Sequence, residues 1–121
     1  MKQTELDAIL KKHKLWLGDQ PGGERANLTW ANLTRADLTK ADLIGADLDF
    51  ASWPLWCGSL KAYVDDRIAI QLLYHTLSVV QYSPYVSQEV KKSLLTEGNV
   101  NVANRFHRVE ECGRLRAYAD I

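Results

Sequence analysis

Two cysteines and two histidines are the residues of this sequence whose types could do chemistry together. Cys57, His75, His107 and Cys112 could form a Cys2His2 zinc set, because thiolate and imidazole are ligands that zinc prefers. The spacing is poor: Cys57 has no second cysteine nearby, and His107 and Cys112 lie about 140° apart around a continuous helix. Buried thiols and hydrogen-bonded imidazoles would explain the same residues. We therefore expect no metal and no other cofactor.

A cysteine nucleophile is the second chemistry that these residues could support. Either cysteine could be activated by His75 or His107, with an acidic residue to orient the imidazole. The acidic candidates are Asp65, Asp66, Glu110 and Glu111. No feature of the sequence places such residues together, and it contains no glycine-rich phosphate loop, serine elbow or paired-carboxylate motif. We therefore expect a protein that is not an enzyme.

Arginines make the C-terminal region locally basic. Arg105, Arg108 and Arg114 are the candidate binding residues among them. Such a cluster could hold a phosphate or an acidic protein surface. Alternatively, the arginines form a solvated face with local ion pairs, Arg108 with Glu111 and Arg114 with Glu110.

A five-residue period dominates the segment from Arg25 to Ala51, "RANLTWANLTRADLTKADLIGADLDFA". Five helical steps would place successive leucines about 140° apart, so they would form no stripe. In a strand, an odd period would send alternate leucines to opposite faces. The period instead predicts a solenoid in which each unit turns the chain and aims the same position inward. The alanines and leucines would form the core, and the Asn, Asp and Thr positions suit tight turns.

These tandem A(D/N)LXX units resemble the pentapeptide-repeat family. The resemblance covers Arg25 to about Pro54 and implies a right-handed, four-sided β-helix with four units per coil. It therefore implies an α+β fold: about one and a half coils of β-helix, capped by an N-terminal helix and a C-terminal helical module. It implies no activity, because a fold alone does not fix a function.

The family geometry also implies that residues twenty apart stack. Trp30 should then lie over Phe50 as an outward aromatic pair, and Asn27 over Asp47. The pair is either covered by a flanking helix or exposed as a recognition platform, since aromatic residues are favoured binding anchors. Trp53 and Trp56 follow the repeats in an apolar plug, and we include them among the candidate binding residues.

The flanking segments must close the ends of so thin a solenoid, so we predict one domain over 1–121. An N-terminal helix is predicted over 3–17, capped by Thr4, with His13 as a packing residue. The repeats occupy 25–54, and a helical module follows over 55–115. Its first helix should bury Ala69, Leu72, Leu73, Thr76, Val79 and Val80. A second should close at Gly98, and a third should stop at Gly113 with Val102, Phe106 and Val109 inward.

The composition narrows the partners. The chain has 121 residues, with 15 basic and 15 acidic side chains. A protein that neutralises nucleic-acid phosphates is normally basic, and Arg25 to Ser52 carries too little negative charge to mimic duplex DNA. No stretch approaches the roughly 20 apolar residues that cross a bilayer. We expect a cytoplasmic protein that binds neither nucleic acid nor a membrane directly.

Three functions remain open. The first is a non-enzymatic protein that binds another protein as an inhibitor or adaptor. The segments "WPLWCGSL", "RIAIQLLYH" and "HRVEECGRL" are similar to segments of short pentapeptide-repeat proteins of bacteria and phages, which implies a phage-encoded protein that acts on a host defence system. The second is a protein that sequesters a small phosphate-bearing ligand such as a nucleotide, and the third is a zinc-containing module. A homodimer is expected because the solenoid ends are exposed.

Overall fold

The structure is a computed structural model that describes all residues from Met1 to Ile121. The chain forms two compact units, Met1–Asp65 and Asp66–Ile121, which we call the repeat unit and the helical unit. It contains five α-helices and two short 3₁₀ turns. The prediction of a single domain stays a prediction.

The repeat unit begins with helix α1, Gln3–Leu17, over the range that the sequence predicts. The predicted cap at Thr4 is wrong, because the helix begins one residue earlier and has no side-chain cap. Gln3 instead makes three hydrogen bonds with its side-chain amide. Its Nε2 donates to the Asp7 carboxylate (2.9 Å) and to the Asp37 carbonyl (3.1 Å), and its Oε1 accepts from the Asp37 N–H (2.9 Å). The first turn of α1 is therefore tied to the repeat segment.

His13 ties the third turn of α1 to the same segment. Its Nδ1 accepts a hydrogen bond from the backbone N–H of Ala26 (2.9 Å), so the ring proton must be on Nε2. The Nε2–H then donates to the Ile44 carbonyl (2.8 Å), and the side chain is fully buried. Both ring nitrogens are occupied, which confirms the prediction that His13 is a packing residue and not a ligand.

From Ala26 the chain forms a coil of turns whose layers pair through the backbone. Leu28 N–H donates to the Asp47 carbonyl (2.8 Å), and Asp47 N–H donates to the Ala26 carbonyl (3.1 Å). Isolated parallel bridges join Asn27 to Asp47 and Asn32 to Ser52, so residues twenty apart are neighbours, as expected. The leucines of the units all point inward and are buried: Leu28, Leu33, Leu38, Leu43 and Leu48.

A tight turn closes each repeat unit of five residues. The leucine carbonyl accepts from the alanine N–H three residues later, as in the pair Leu28 and Ala31 (3.0 Å). The second central residue has a positive φ at Trp30 (63°), Lys40 (61°) and Phe50 (62°), which is the geometry of a type II turn. The Asn or Asp before each leucine accepts the N–H two residues later and supports the turn.

The predicted fold class is wrong. We expected an α+β fold built on a right-handed, four-sided β-helix, but the repeat segment contains isolated bridges only, with no strand and no sheet. Nearly half of the chain is helical. The physical reason is that a turn begins at every leucine, so the extended stretches between turns are shorter than the about three residues of the shortest ordinary strand. The chain is a mainly helical protein with a turn-built repeat segment.

The second layer of the coil contains one extra residue. Asn32 pairs with Ser52, twenty positions on, whereas Asp42 pairs with Tyr63, twenty-one positions on. The extra residue falls in the segment that holds the 3₁₀ turn Cys57–Ser59. This segment leaves the regular path of the coil and exposes several apolar side chains to solvent: Leu55, Trp56 and Leu60.

The helical unit consists of α2, Asp66–Tyr82, α3, Gln88–Leu94, α4, Glu97–Ala103, and α5, Val109–Cys112. Side-chain caps begin two of the helices: the Ser87 hydroxyl accepts the Val90 N–H (3.2 Å), and the Thr96 hydroxyl accepts the Asn99 N–H (3.1 Å). The core of this unit is formed by Tyr74, Leu77, Val80, Leu95, Val100, Ala103, Phe106, Val109, Leu115 and Ala117. No helix of either unit is long and apolar enough to cross a bilayer.

Most of the predicted apolar face of α2 is wrong. Val80 is buried as expected, but the other buried residues are Ile68, Gln71, Tyr74 and Leu77. Val79 is 67 % exposed. Apolar residues cover most of the circumference of α2, so the sequence pattern did not identify the face that packs. The buried face contains the ring of Tyr74, which the prediction left out.

The third predicted helix of the unit is broken into two. Gly98 lies inside α4 and does not end a helix, because the Thr96 cap begins α4 before it. The helix then ends at Ala103, where the Asn104 side chain turns to the C-terminal tail: its Nδ2 donates to the Leu115 carbonyl (3.0 Å) and its Oδ1 accepts the Leu115 N–H (2.8 Å). Gly113, with φ of 102°, does end α5 as predicted. Phe106 and Val109 are buried as predicted, whereas Val102 is exposed.

Replacing His13 with leucine should destabilise the repeat unit. His13→Leu removes both hydrogen bonds of the imidazole and leaves the Ala26 N–H and the Ile44 carbonyl without partners in an apolar site. Each such group costs about 1–3 kcal/mol, so we expect a loss of about 3 kcal/mol in the free energy of unfolding, measured by urea denaturation. Lys14→Leu, an exposed change on the same helix, is the control. A loss below about 1 kcal/mol in His13→Leu would show that the two bonds do not hold α1 in place.

Candidate functional site

Trp30 and Phe50 form a stacked aromatic pair on the outside of the repeat coil. Their ring centroids are 4.4 Å apart and the ring planes meet at 9°. Both residues occupy the fifth position of their units, where the type II turn directs the side chain outward. Trp30 is 75 % exposed and Phe50 is 49 % exposed. The predicted stacking is confirmed, and the alternative that a flanking helix covers the pair is wrong.

A groove of about 500 Å³ lies elsewhere on the repeat unit. It is lined by Thr34, Arg35, Trp53, Leu55 and Trp56. Thr34 and Arg35 belong to the first layer of the coil, and the other three follow the bridge at Ser52 in the second layer. The structure therefore brings together the two predicted candidates Trp53 and Trp56, and it adds three residues to them.

The two indoles of the groove belong to the segment after Ala51, where the five-residue pattern is lost. Trp53 occupies the position that a leucine holds in the regular units, and it is too large to be fully buried there. Trp56 packs over Gly58: a Cβ added to Gly58 would lie 2.3 Å from Cζ2 of the Trp56 ring. Glycine is thus required at position 58 for this ring position. Leu55 is almost fully exposed at the rim.

Arg35 gives the groove a positive charge that nothing within the chain neutralises. Its guanidinium makes no ion pair, hydrogen bond or ring contact. The acidic side chains of the two following repeats, Asp37 and Asp42, accept hydrogen bonds from their own turns. The Thr39 N–H donates to the Asp37 carboxylate (3.0 Å), and this bond, together with the Thr39 hydroxyl, lowers the pKa of Asp37. The Asp42 carboxylate accepts the Ile44 N–H in the same way (3.1 Å).

The arginines of the helical unit are arranged differently. Arg108 makes a bidentate pair with Glu111 (2.7 Å at the closest contact), and Arg114 pairs with Glu110 (3.3 Å). These are the two ion pairs that the solvated-face alternative predicts. Arg105 lies apart from them, at a shallow hollow between α2 and α4 that is lined mainly by apolar side chains. The three arginines therefore present no shared cluster of unpaired charge.

The cysteines and histidines form no metal site. No three His, Cys, Asp or Glu side chains lie close enough to hold an ion, and Cys57 and Cys112 are both free and exposed. His75 donates from Nδ1 to the Gln71 carbonyl (2.7 Å). The rings of His75 and His107 instead pack edge-on against Phe106, with centroids 5.2 Å and 4.9 Å from it. The zinc and nucleophile alternatives thus receive no support from the geometry.

Tyr74 is the titratable group of the helical unit with a resolved shift. Burial raises its pKa above the ordinary value of 10.0, and the charge that Cys112 carries when ionised adds to the shift. Its hydroxyl donates to the Gly113 carbonyl, and its ring stacks on Phe106 with centroids 4.7 Å apart. This arrangement fixes the end of α5.

Sequence reasoning missed Thr34, Arg35 and Leu55 as groove residues. The available signal was the unit "ANLTR" followed twenty positions later by "ASWPL", which places Arg35 beside Leu55 in the stacked layers. The opening between them could not be anticipated, because it depends on the extra residue near Cys57 and on the packing of Trp56 over Gly58.

The repeat unit is a coil of turns with an inward leucine every five residues, and it carries exposed aromatic side chains on its outside. The family described as pentapeptide repeats (8 copies) matches residues 24–52. This segment therefore consists of pentapeptide repeats, as predicted. No curated protein and no solved structure matches the chain. Such a repeat segment suggests a protein-interaction module at most.

Tyr74 should make the helical unit sensitive to alkaline pH. Because its pKa is raised in the folded state, it contributes stability that is fully present below the unfolded value of 10.0 and is lost as pH rises through the folded pKa. We expect Tyr74→Phe to melt at a lower temperature than the parent at pH 7, since it loses the bond to Gly113, and to lose less stability between pH 7 and pH 11. Tyr85→Phe, at an exposed tyrosine, is the control and should follow the parent. Parallel curves for Tyr74→Phe and the parent would contradict the assignment.

Proposed function

We propose that the protein is a non-enzymatic binding protein that contacts another protein through the aromatic surface of its repeat unit. The observation that carries this proposal is the exposed, stacked pair of Trp30 and Phe50. Tryptophan is among the residues most enriched at the energetic centres of interfaces. A large indole that is 75 % exposed on a regular scaffold needs a reason to stay there, and a partner surface supplies one.

The backbone that carries the pair is rigid, which favours binding. Trp30 N–H donates to the Asp49 carbonyl (3.0 Å), so the two turns that present the rings are bonded to each other. The stacking already restricts both side chains before a partner arrives. A partner therefore meets rings that have little rotational freedom left to lose, and association costs less conformational entropy.

A finer form of the proposal concerns the partner. We propose that the protein acts as an inhibitor or adaptor of a host defence system, that a phage encodes it and that it acts in the cytoplasm. The similarity of "WPLWCGSL", "RIAIQLLYH" and "HRVEECGRL" to segments of short phage and bacterial proteins supports this form. Small inhibitors work by occupying a surface of their target, for which an exposed aromatic pair is suited.

Replacing Trp30 should abolish capture of the partner. Purified parent protein, immobilised and exposed to host lysate, should retain one protein in stoichiometric amount, and Trp30→Ser should retain at least tenfold less of it. Tyr85→Ser is the matched control, because Tyr85 is 95 % exposed, lies in the helical unit and makes no ring contact. Its capture should equal that of the parent.

Two results would contradict the proposal. The absence of any stoichiometric partner would remove protein binding as the function. Equal capture by Trp30→Ser and the parent, with unchanged circular dichroism, would move the interface away from the aromatic pair.

We also propose that the protein forms a homodimer. Apolar side chains exposed on the repeat unit support this, such as Leu17 and Ile44, since exposed apolar surface is often buried by association. Light scattering should give twice the chain mass of 13.7 kDa. A mass equal to one chain across the micromolar range would refute the dimer.

A further inference from the structure

We propose that the groove formed by Thr34, Arg35, Trp53, Leu55 and Trp56 binds a nucleoside phosphate. This site is separate from the protein contact proposed for Trp30, and neither proposal requires the other. Four features of the groove support this ligand: its size, its two indoles, the unpaired charge of Arg35 and the hydrogen bond that the Thr34 hydroxyl makes.

The size and lining of the groove suit a planar ligand. Its volume of about 500 Å³ lies within the range of roughly 300–1,000 Å³ that small-molecule sites occupy. Trp53 and Trp56 both line it, and neither indole makes a ring contact within the chain. Trp56 is 49 % exposed and packs over Gly58 with one side of its ring, so the other side can take a ligand. Stacking on an indole suits any nucleobase, because every base has a flat face.

The charge of the groove suits an anion. Arg35 is the charged residue that lines it, and its guanidinium has no partner. Two further basic residues, Lys40 and Lys61, follow Arg35 along the coil. They are neighbours in the two layers, because the Lys40 N–H donates to the Lys61 carbonyl (3.0 Å). Neither lysine makes an ion pair. The carboxylates of Asp37 and Asp42 accept turn N–H groups, and neither forms an ion pair with Arg35. A phosphate is the anion that the planar fork of arginine binds best.

Thr34 orients the ligand. Its hydroxyl donates its only hydrogen to Asn32 Oδ1 (2.7 Å), so toward the groove it can act only as an acceptor. Ionised phosphate oxygens also only accept, and thus Thr34 cannot hold the phosphate. The phosphate belongs at Arg35, and Thr34 faces a donor on the ligand, such as a sugar hydroxyl or a base amino group. A ligand that has a flat ring, a donor in its middle and a compact anion at one end is a nucleoside monophosphate.

The test is a titration with AMP, GMP, CMP and UMP, followed by isothermal calorimetry and by quenching of tryptophan fluorescence. We expect saturation below about 1 mM for at least one of the four, and for that nucleotide at least tenfold weaker binding of the nucleoside without phosphate. A synthetic peptide with alternating aspartate and leucine serves as the competing class of ligand.

Matched variants locate the site. Arg35→Gln should weaken the nucleotide about tenfold and leave the nucleoside within twofold, because only the phosphate contact is lost. Trp56→Leu should weaken both about tenfold, and Trp56→Phe, which keeps a ring over Gly58, should restore most of the binding. Arg116→Gln and Tyr85→Leu, at exposed positions of the helical unit, are the controls and should bind like the parent.

Several outcomes would overturn the proposal. Failure of all four nucleotides to saturate by 5 mM would show that the groove holds no nucleotide, taking the weak limit of about 1 mM for a specific small ligand. Equal binding of nucleoside and nucleotide, or an unchanged affinity in Arg35→Gln, would remove the phosphate from Arg35. Tighter binding of the acidic peptide with displacement of the nucleotide would assign the groove to a polypeptide. All of these results can occur with the Trp30 interface intact, so the two proposals fail separately.

Discussion

Every outward feature of the repeat unit depends on backbone pairing between residues twenty positions apart. The bonds of Leu28 and Asp47 place one turn of the coil on the next, and only then do the inward leucines meet and exclude water. The same pairing decides which side chains become neighbours on the outside. Trp30 stacks on Phe50, and Arg35 comes beside the segment that holds Trp53, because of this one offset. Both the aromatic pair and the groove therefore depend on the pairing of residues twenty positions apart.

A coil of so few layers cannot cover its own end, and α1 does this with hydrogen bonds as well as with apolar side chains. Gln3 and His13 each bond to backbone groups of the first layer. The chain then passes so close to the helix that position 23 must be glycine, since a Cβ there would lie 2.4 Å from the Trp16 backbone nitrogen. Backbone groups at an uncovered end would otherwise have to be satisfied by water, so these polar contacts complete the unit.

Features that follow from the five-residue period were predicted correctly from the sequence. Features that depend on tertiary packing were not. The leucine period predicted the pentapeptide repeats and the inward positions, and the family geometry then implied the stacking of Trp30 on Phe50. The sequence did not predict the absence of strands. The family geometry gives the residues that pair but not the length of the extended segment between two turns. In the helical unit, a first helix was predicted and is present as α2, but its buried face was predicted wrongly because apolar residues lie all around it. The groove was not predicted, because it depends on one extra residue in the second layer and no residue type in the sequence indicates such an insertion.

That extra residue near Cys57 also limits how the protein can change in length. Regular layers can be added only as blocks of four repeats, because residues pair twenty positions apart and any other number would leave a layer incomplete. Such a block fits before Asn32, where the pairing offset is twenty, but it does not fit after Ser52, where the offset is twenty-one. Duplication of gene segments can therefore lengthen the coil from its N-terminal side while the C-terminal edge, with the two indoles of the groove, is inherited unchanged.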